Sequence, residues 1–420
     1  MSKNLYMQKI GKKAKLASSR MSQINIKKKN SVLKKFSEYL KNNSQIILNA
    51  NKKDIFYAKY KKVEENMIDR LKLDNKKINQ IINSIEKIIK FKDPTGKILS
   101  SWKRPNGLII KKLSIPIGVI GVIYESRPNV TSDVSALCFK SGNVVILRGG
   151  SEAFHSNKIL VKLFKRALKS QKCDENCVQF IENKDRNHVD FLLSKMKDYI
   201  DVIIPRGGKN LIKKVLKKST VSIIGHYEGL CHVYIDKEAS LDMAIKITKN
   251  SKMRNVSICG AAETLLIDKK CLKSHCEPIL IHLKKMGCKI VGDKTISKFI
   301  SGDIKIATKK DWITEYLSPT ISVKSVNGIE EAIEHINKYG SFHTDAIVTR
   351  NKKTAKKFLS DINSSIVIHN ASTQFADGGE FGFGAEVGIS TSKLHPRGPV
   401  GIEQLTTYKY ILEGNGQIRK

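Results

Sequence analysis

The chemistry in this chain gathers on one cysteine. Cys259 stands in the stretch NVSICGAAETLL, residues 255–266, with Ser257, Gly260, Ala261 and Ala262 around it. Small neighbours leave a sulfur open to a substrate, and a thiolate so placed can attack a carbonyl or acyl carbon and split one hard step into two easier ones. The competing reading is packing, because free cysteine is among the residue types most often buried and a cysteine that only fills a core is inert. Which reading holds depends on what the rest of the chain builds around residue 259.

That surrounding pattern is an alternation of strands and helices. Residues 1–100 are helical in pattern, with apolar positions at helical spacing in 26–50 and 77–91, and Asp93-Pro94 ends the second run. From Trp102 the period changes. Residues 108–112 read as a strand, and the continuous apolar run IGVIGVIY, 117–124, suits a parallel strand covered on both faces. Helix 129–140, strand 144–148, helix 156–168, strand 178–182, helix 187–197, strand 201–205, helix 209–217 and strand 221–224 follow. Such alternation implies an open parallel sheet with crossover helices, whose ligands lie beyond the carboxyl ends of the strands. The residues placed there are 125–129, 149–152 and the turn Arg206, Gly207, Gly208.

A second alternating series begins after His226. It runs through strand 232–236, helix 241–252, the Cys259 loop, strand 263–267, helix 271–285, strand 289–291, strand 320–326, helix 329–339, strand 345–349 and helix 354–360. The glycine-rich 375–388 reads as a loop too flexible for a core, and 403–412 as a strand-like tail. A length of 420 residues suggests two or three domains, and the second alternating series makes a second α/β domain the natural reading.

Composition narrows the class. No run of about 18 apolar residues exists and the N-terminus lacks a secretory signal pattern, so a cytoplasmic enzyme is expected. Eight cysteines include no CxxC pair, and the segment Cys271, His275, Cys276, His282, Cys288 reads as an amphipathic helix running into a strand, so no metal site is expected. The formal charge of +37 invites a nucleic-acid reading, but the lysines scatter through almost every helix with no binding motif. Solvated surface with some attraction for anionic substrates is the simpler account. Neither GxGxxG nor GxxxxGK[ST] occurs, so the usual nucleotide fingerprints give no support.

Five stretches then point one way. They are IPIGVIGVIYESRPNVTSDVSALCFKSGNVVILRGGSEAFHSN, VIIPRGGKNLI, GLCHVYID, the Cys259 loop and ASTQFADGGEFGFGAEVGISTSKLHPRGPVGIEQLTTYKYI. Together, in collinear order over nearly the whole chain, they resemble the γ-glutamyl phosphate reductase family, a distant branch of the aldehyde dehydrogenase superfamily. The resemblance implies an aldehyde dehydrogenase-like α/β fold of two open-sheet domains plus a small oligomerisation strand element. Residues 1–229 would form the cofactor-binding domain, with 100–113 in the oligomerisation element, 230–395 the catalytic domain, and 396–420 a return segment and oligomerisation tail.

The resemblance also implies roles. Cys259 matches the nucleophile and Asn129 the oxyanion-hole amide. Arg148 and Glu152 match positions near the adenosine ribose, Arg206, Gly207 and Gly208 the turn near the pyrophosphate, and Glu315 the glutamate on the nicotinamide ribose. Arg127, Arg397, His232 and His343 are candidates for the substrate's anions, since guanidinium forks suit carboxylate and phosphate; Glu125 and Glu386 are weaker candidates for its ammonium. The implied reaction is NADPH-dependent reduction of L-glutamyl 5-phosphate to L-glutamate 5-semialdehyde with release of phosphate, in proline biosynthesis. A homo-oligomer is implied, and channelling from a glutamate 5-kinase stays open. So does a non-phosphorylating NAD(P)-dependent aldehyde dehydrogenase, because Glu228 lies near where a water-activating base would be expected; its other reading is a solvated loop residue.

Overall fold

The computed structural model describes residues 3–185, 187–300 and 304–419. They divide into two compact units, one comprising the chain up to Gly225 with Gly382–Gly388 and the segment from Val400, the other His226–Phe381 with Ile389–Pro399.

The first unit is built on a five-stranded parallel sheet in the order Val178–Phe180, Val144–Gly149, Val119–Tyr124, Val202–Arg206, Ser222–Ile223. Every residue of Val119–Tyr124 and Val144–Gly149 is buried. Such burial is possible because these strands are apolar on both faces and helices cover each side. The helices Pro128–Lys140, Phe154–Ser170, Asn187–Ser194 and Lys209–Lys218 connect successive strands. Strand order reverses at Val119–Tyr124, so the crevice beyond its carboxyl end is where a ligand is expected in this topology.

The helical lead-in packs into the same core. Helix Asn75–Lys90 buries Ile78, Ile81, Ile82, Ile85 and Ile88, one stripe at i, i+3, i+4, i+7 and i+10, and the Asp74 carboxylate caps it by accepting from the Lys77 N–H at 2.6 Å. Each isoleucine contributes about 1.5–3 kcal/mol by leaving water. A three-stranded antiparallel sheet joins Ile98–Lys103, Ile109–Pro116 and Thr406–Glu413, so the strand-like tail pairs along the full length of the middle strand.

The second unit holds a seven-stranded parallel sheet in the order Lys305–Ile306, Lys289–Gly292, Thr320–Val326, Ala262–Asp268, Cys231–Ile235, Thr344–Val348, Ile366–His369. Cys259 lies in the loop entering the strand Ala262–Asp268, between it and helix Leu241–Met253.

Several features depart from the sequence reading, among them a short antiparallel pair, Ile389–Ser390 with Gly398–Pro399. The strands Lys305–Ile306 and Ile366–His369 were not anticipated; both are edge strands of two to four residues, too short to show a period. The glycine-rich loop is not wholly outside the core, because Val387 is fully buried and its N–H donates to the Val400 carbonyl at 2.9 Å, while the Val400 N–H donates to Gly388 at 2.8 Å. Its backbone polar groups are thereby satisfied, which lets a loop be buried. No helix among the described residues is long and apolar enough to cross a membrane.

Candidate active site

Cys259 and Cys173 are the two cysteines that are not buried; the other six are. The turn carrying Cys259 closes with the Ala261 N–H on the Ile258 carbonyl, 3.0 Å. Below it runs Gly229, so close that a Cβ there would meet the Cys259 carbonyl oxygen at 2.2 Å and its Cα at 2.6 Å. Only glycine fits at that approach. The Glu315 carboxylate accepts the Gly229 N–H at 2.9 Å, so the residue expected at a cofactor ribose also fixes the backbone under the thiol.

The ASTQFADGG stretch holds the other side of the loop. Thr373 Oγ1 donates to the Gly260 carbonyl at 2.7 Å. The Gln374 side chain donates to the carbonyls of Ser251 and Asn255 at 2.8 and 3.2 Å and accepts from Arg254 Nε at 2.7 Å. Deeper, Lys252 Nζ and Glu263 Oε2 form an ion pair at 2.6 Å with both side chains fully buried. These two residues close the loop at its ends, one on the preceding helix and one on the following strand.

Two histidines meet the sulfur. A ring nitrogen of His226, one of His343 and the Cys259 Sγ all lie within 4.8 Å of one another. The His226 and His343 rings are 5.0 Å apart, edge to face. His226 Nδ1 is hydrogen-bonded to the Ile389 carbonyl at 2.8 Å. His343 is fully buried, with Nδ1 at 2.9 Å from Thr344 Oγ1 and its Nε2 without a hydrogen-bond partner. Burial pushes the Cys259 thiol up, but the His343 and His226 rings outweigh it and hold the group well below the ordinary thiol range. The buried Cys231 beside it is pushed up instead, first by burial and then by the acidic groups around it. A thiolate is thus favoured at one position of the loop only.

In the first unit, a cavity of about 270 Å³ opens at the carboxyl ends of the central strands, lined among others by Tyr124, Arg148, Glu152, Lys184 and Lys214. Arg148 hydrogen-bonds the carbonyls of Gly149 and Lys184. The Glu152 carboxylate accepts from the Ser126 N–H at 2.7 Å and from its hydroxyl at 3.0 Å, fixing the loop after Val119–Tyr124. Glu125 reaches the other turn, where it accepts the Gly208 N–H at 2.8 Å, and Arg206 packs against Gly388. Three basic side chains, Arg148, Lys184 and Lys214, thus line this cavity together with the Glu152 carboxylate.

Asn129 is exposed in the first turn of helix Pro128–Lys140, its amide 3.3 Å from Asp133, and Arg127 is half-buried just before it. Burial first, eased by Asn129, pushes the Asp133 carboxyl up to about 6. His232 is buried behind Asp345, with Nδ1 at 2.8 Å from its carboxylate, so it is tied into the sheet rather than facing an open site. Arg397 is taken up by Asn363 through its side chain at 3.3 Å and its carbonyl. Glu228 is half-buried, not fully solvated. Sequence reasoning missed His226, Lys184 and Lys214, none of which carries a local signal.

The aldehyde dehydrogenase family model matches residues 6–302 and 295–411. The gamma-glutamyl phosphate reductase of Parvibaculum lavamentivorans is 46% identical over 416 residues, covering 99% of this chain and 98% of that protein. That of Bartonella quintana is 47% identical over 413 residues, covering 98% and 100%. The crystal structure of gamma-glutamyl phosphate reductase from Thermotoga maritima matches with a TM-score of 0.95 at 42% identity, covering 99% of this chain and all of that one. An acetylating aldehyde dehydrogenase from Geobacillus thermoglucosidasius shares the fold, at a TM-score of 0.70 and 16% identity. The chain belongs to the aldehyde dehydrogenase family and, within it, to the gamma-glutamyl phosphate reductases.

Proposed function

We propose that this oxidoreductase reduces L-glutamyl 5-phosphate to L-glutamate 5-semialdehyde, with Cys259 as nucleophile and NADPH as reductant. The observation that carries the reading is the Cys259 thiol held between His226 and His343 on a loop braced from both sides. The thiolate attacks the acyl carbon, the C–O bond to phosphate breaks, and inorganic phosphate leaves. The resulting thioester accepts a hydride, and collapse of the tetrahedral adduct frees the aldehyde and returns the thiolate. NADPH supplies that hydride when bound. Arg148, Glu152 and the Arg206–Gly208 turn are the proposed holders of its adenosine and pyrophosphate end, and Glu315 that of its nicotinamide ribose.

Charge builds on the carbonyl oxygen in both steps. Asn129 is the proposed side-chain donor, and loss of one such donor costs about 10²–10³ in rate. Arg127 and His343 are the proposed holders of the substrate's anionic groups. The reading is tested by NADP reduction with glutamate 5-semialdehyde, with and without phosphate, in the parent and in Cys259→Ala. Phosphate-dependent activity lost with the cysteine is expected. Turnover indifferent to phosphate overturns the reading in favour of a hydrolytic dehydrogenase in which Glu228 activates water.

The antiparallel sheet supports a homo-oligomer. Its two outer strands leave Ile98, Leu99, Trp102, Tyr410 and Leu412 exposed, apolar side chains of a kind that mark association surfaces. Light scattering behind gel filtration should give a mass above 47.2 kDa. A 47.2 kDa species alone refutes the oligomer.

A further inference from the structure

We propose that His226, Cys259 and His343 form a binding site for a thiophilic divalent cation, Zn²⁺ in particular, and that its occupation reversibly switches the enzyme off. The inhibitory consequence rests on Cys259 being the nucleophile; the binding itself does not.

The donor set is the first argument. Two imidazoles and one thiol are the ligands zinc takes most readily, and three protein donors with a fourth position left open is a recurrent arrangement. Their donor atoms all lie within 4.8 Å of one another. Tetrahedral zinc with bonds of about 2.0–2.3 Å holds its donors about 3.3–3.8 Å apart, so closing on an ion needs the rings to turn inward by at most about 1–1.5 Å.

The orientation of the rings is the second argument, independent of proximity. Metal-bound histidines almost always engage their other ring nitrogen with a carbonyl or another polar group, which sets tautomer and ring plane. Here His226 Nδ1 is held by the Ile389 carbonyl at 2.8 Å, and His343 Nδ1 lies 2.9 Å from Thr344 Oγ1. That leaves the His343 Nε2, in a fully buried side chain, with no hydrogen-bond partner. A buried ring nitrogen left unpaired is costly, and coordination removes that cost. Neighbouring acids do not complete a second site: Asp345 is committed to His232 and Ser364, and Glu315 to Gly229.

Binding is simple in its balance. A Zn–S bond forms, the thiol proton, where present, goes to solvent, and neither sulfur nor metal changes oxidation state. The metal and the acyl carbon compete for one sulfur, so acylation of Cys259 and zinc binding exclude each other.

The test uses the full-length protein and Co²⁺ as a spectroscopic stand-in for Zn²⁺. Expected are a near-ultraviolet thiolate-to-cobalt charge-transfer band with intense visible bands of tetrahedral Co²⁺, both bleached by one equivalent of Zn²⁺. Cys259→Ala should abolish the charge-transfer band and Cys173→Ser should leave it. His226→Asn and His343→Asn should each weaken Co²⁺ and Zn²⁺ binding by on the order of a hundredfold, read by titration and not by activity. Inhibition of the parent by Zn²⁺ should be relieved by a chelator. A band that persists in Cys259→Ala, octahedral spectra without thiolate, or titrations unchanged in both histidine variants overturns the site. Zinc that binds as expected but does not inhibit an otherwise active enzyme overturns the switch and counts against Cys259 as nucleophile.

Discussion

Gly229 lies beneath Cys259 with room for no side chain: a Cβ would stand 2.2 Å from the Cys259 carbonyl oxygen and 2.7 Å from its carbonyl carbon. Both are backbone atoms, so the contact cannot be relieved by a rotamer. Gly229→Ala must therefore displace the loop that carries the thiol. A misplacement of about 1 Å costs on the order of a hundredfold in turnover. The expected outcome is a kcat lowered by about that factor with an unchanged circular dichroism spectrum. Full activity in the alanine variant would show that the loop position is not critical.

Cys259 and Cys173 should separate by pH in an alkylation experiment. Burial pushes the Cys173 thiol up, whereas at Cys259 burial is outweighed by the two imidazoles and the group is held well below the ordinary range. The thiolate is the reacting form, so at about pH 6, below the ordinary thiol value of about 8.5, Cys259 holds a larger share of it than Cys173 does. Peptide mapping after brief iodoacetamide treatment at that pH should find Cys259 labelled first. In His343→Asn the selectivity should fall, because one of the two opposing imidazoles is gone. Equal labelling of both cysteines at pH 6 contradicts the prediction.

The Lys252–Glu263 pair should reveal itself in stability. Glu263→Gln leaves a buried ammonium unpaired, which costs about 3–5 kcal/mol, whereas Lys252→Met combined with Glu263→Gln should cost less because no lone charge remains. The pair also has a pH signature. Burial, opposed by Lys252, raises the Glu263 carboxyl to about 7, so between about 4.5 and 7 the folded state holds a proton that the unfolded state has released. Stability from this group is therefore greatest below the unfolded value and falls as pH rises to about 7. Urea unfolding across that range should show the slope in the parent and a shallower one in the double variant; parallel slopes contradict it.

Arg148 and Lys184 line the same cavity and should weigh on cofactor choice. A second phosphate on the adenosine end gains from a guanidinium and an ammonium, while the unphosphorylated cofactor gains little. Lys184→Ala and Arg148→Ala should each raise the KM for NADPH more than that for NADH, by about tenfold for a contact of about 1.4 kcal/mol. Equal changes for both cofactors argue for a merely structural role.

The central strands of the first parallel sheet were legible because their residues are apolar on both faces, a pattern that survives in one dimension: IGVIGVIY and NVVILRG announce buried strands before any contact is known, whereas the short edge strands of the second sheet carry no such pattern. The stripe of Ile78, Ile81, Ile82, Ile85 and Ile88 did the same for a helix. Cys259 was legible as a candidate because its neighbours are small, and the structure leaves it half-buried. What surrounds it was not. His226 and Gly229 precede Cys259 in the chain and Glu315 and His343 follow it at a distance; the resemblance named the last two, but only the winding of the sheet brings all four to one loop. His232 shows the converse: its residue type suggested a ligand, and the pairing of its strand with Thr344–Val348 placed it against Asp345. Periodicity and composition act between neighbours along the chain and therefore set which segments become strands, helices and loops. A site depends on distances of a few ångströms between residues separated by long stretches, and those are decided by how the crossovers stack the strands.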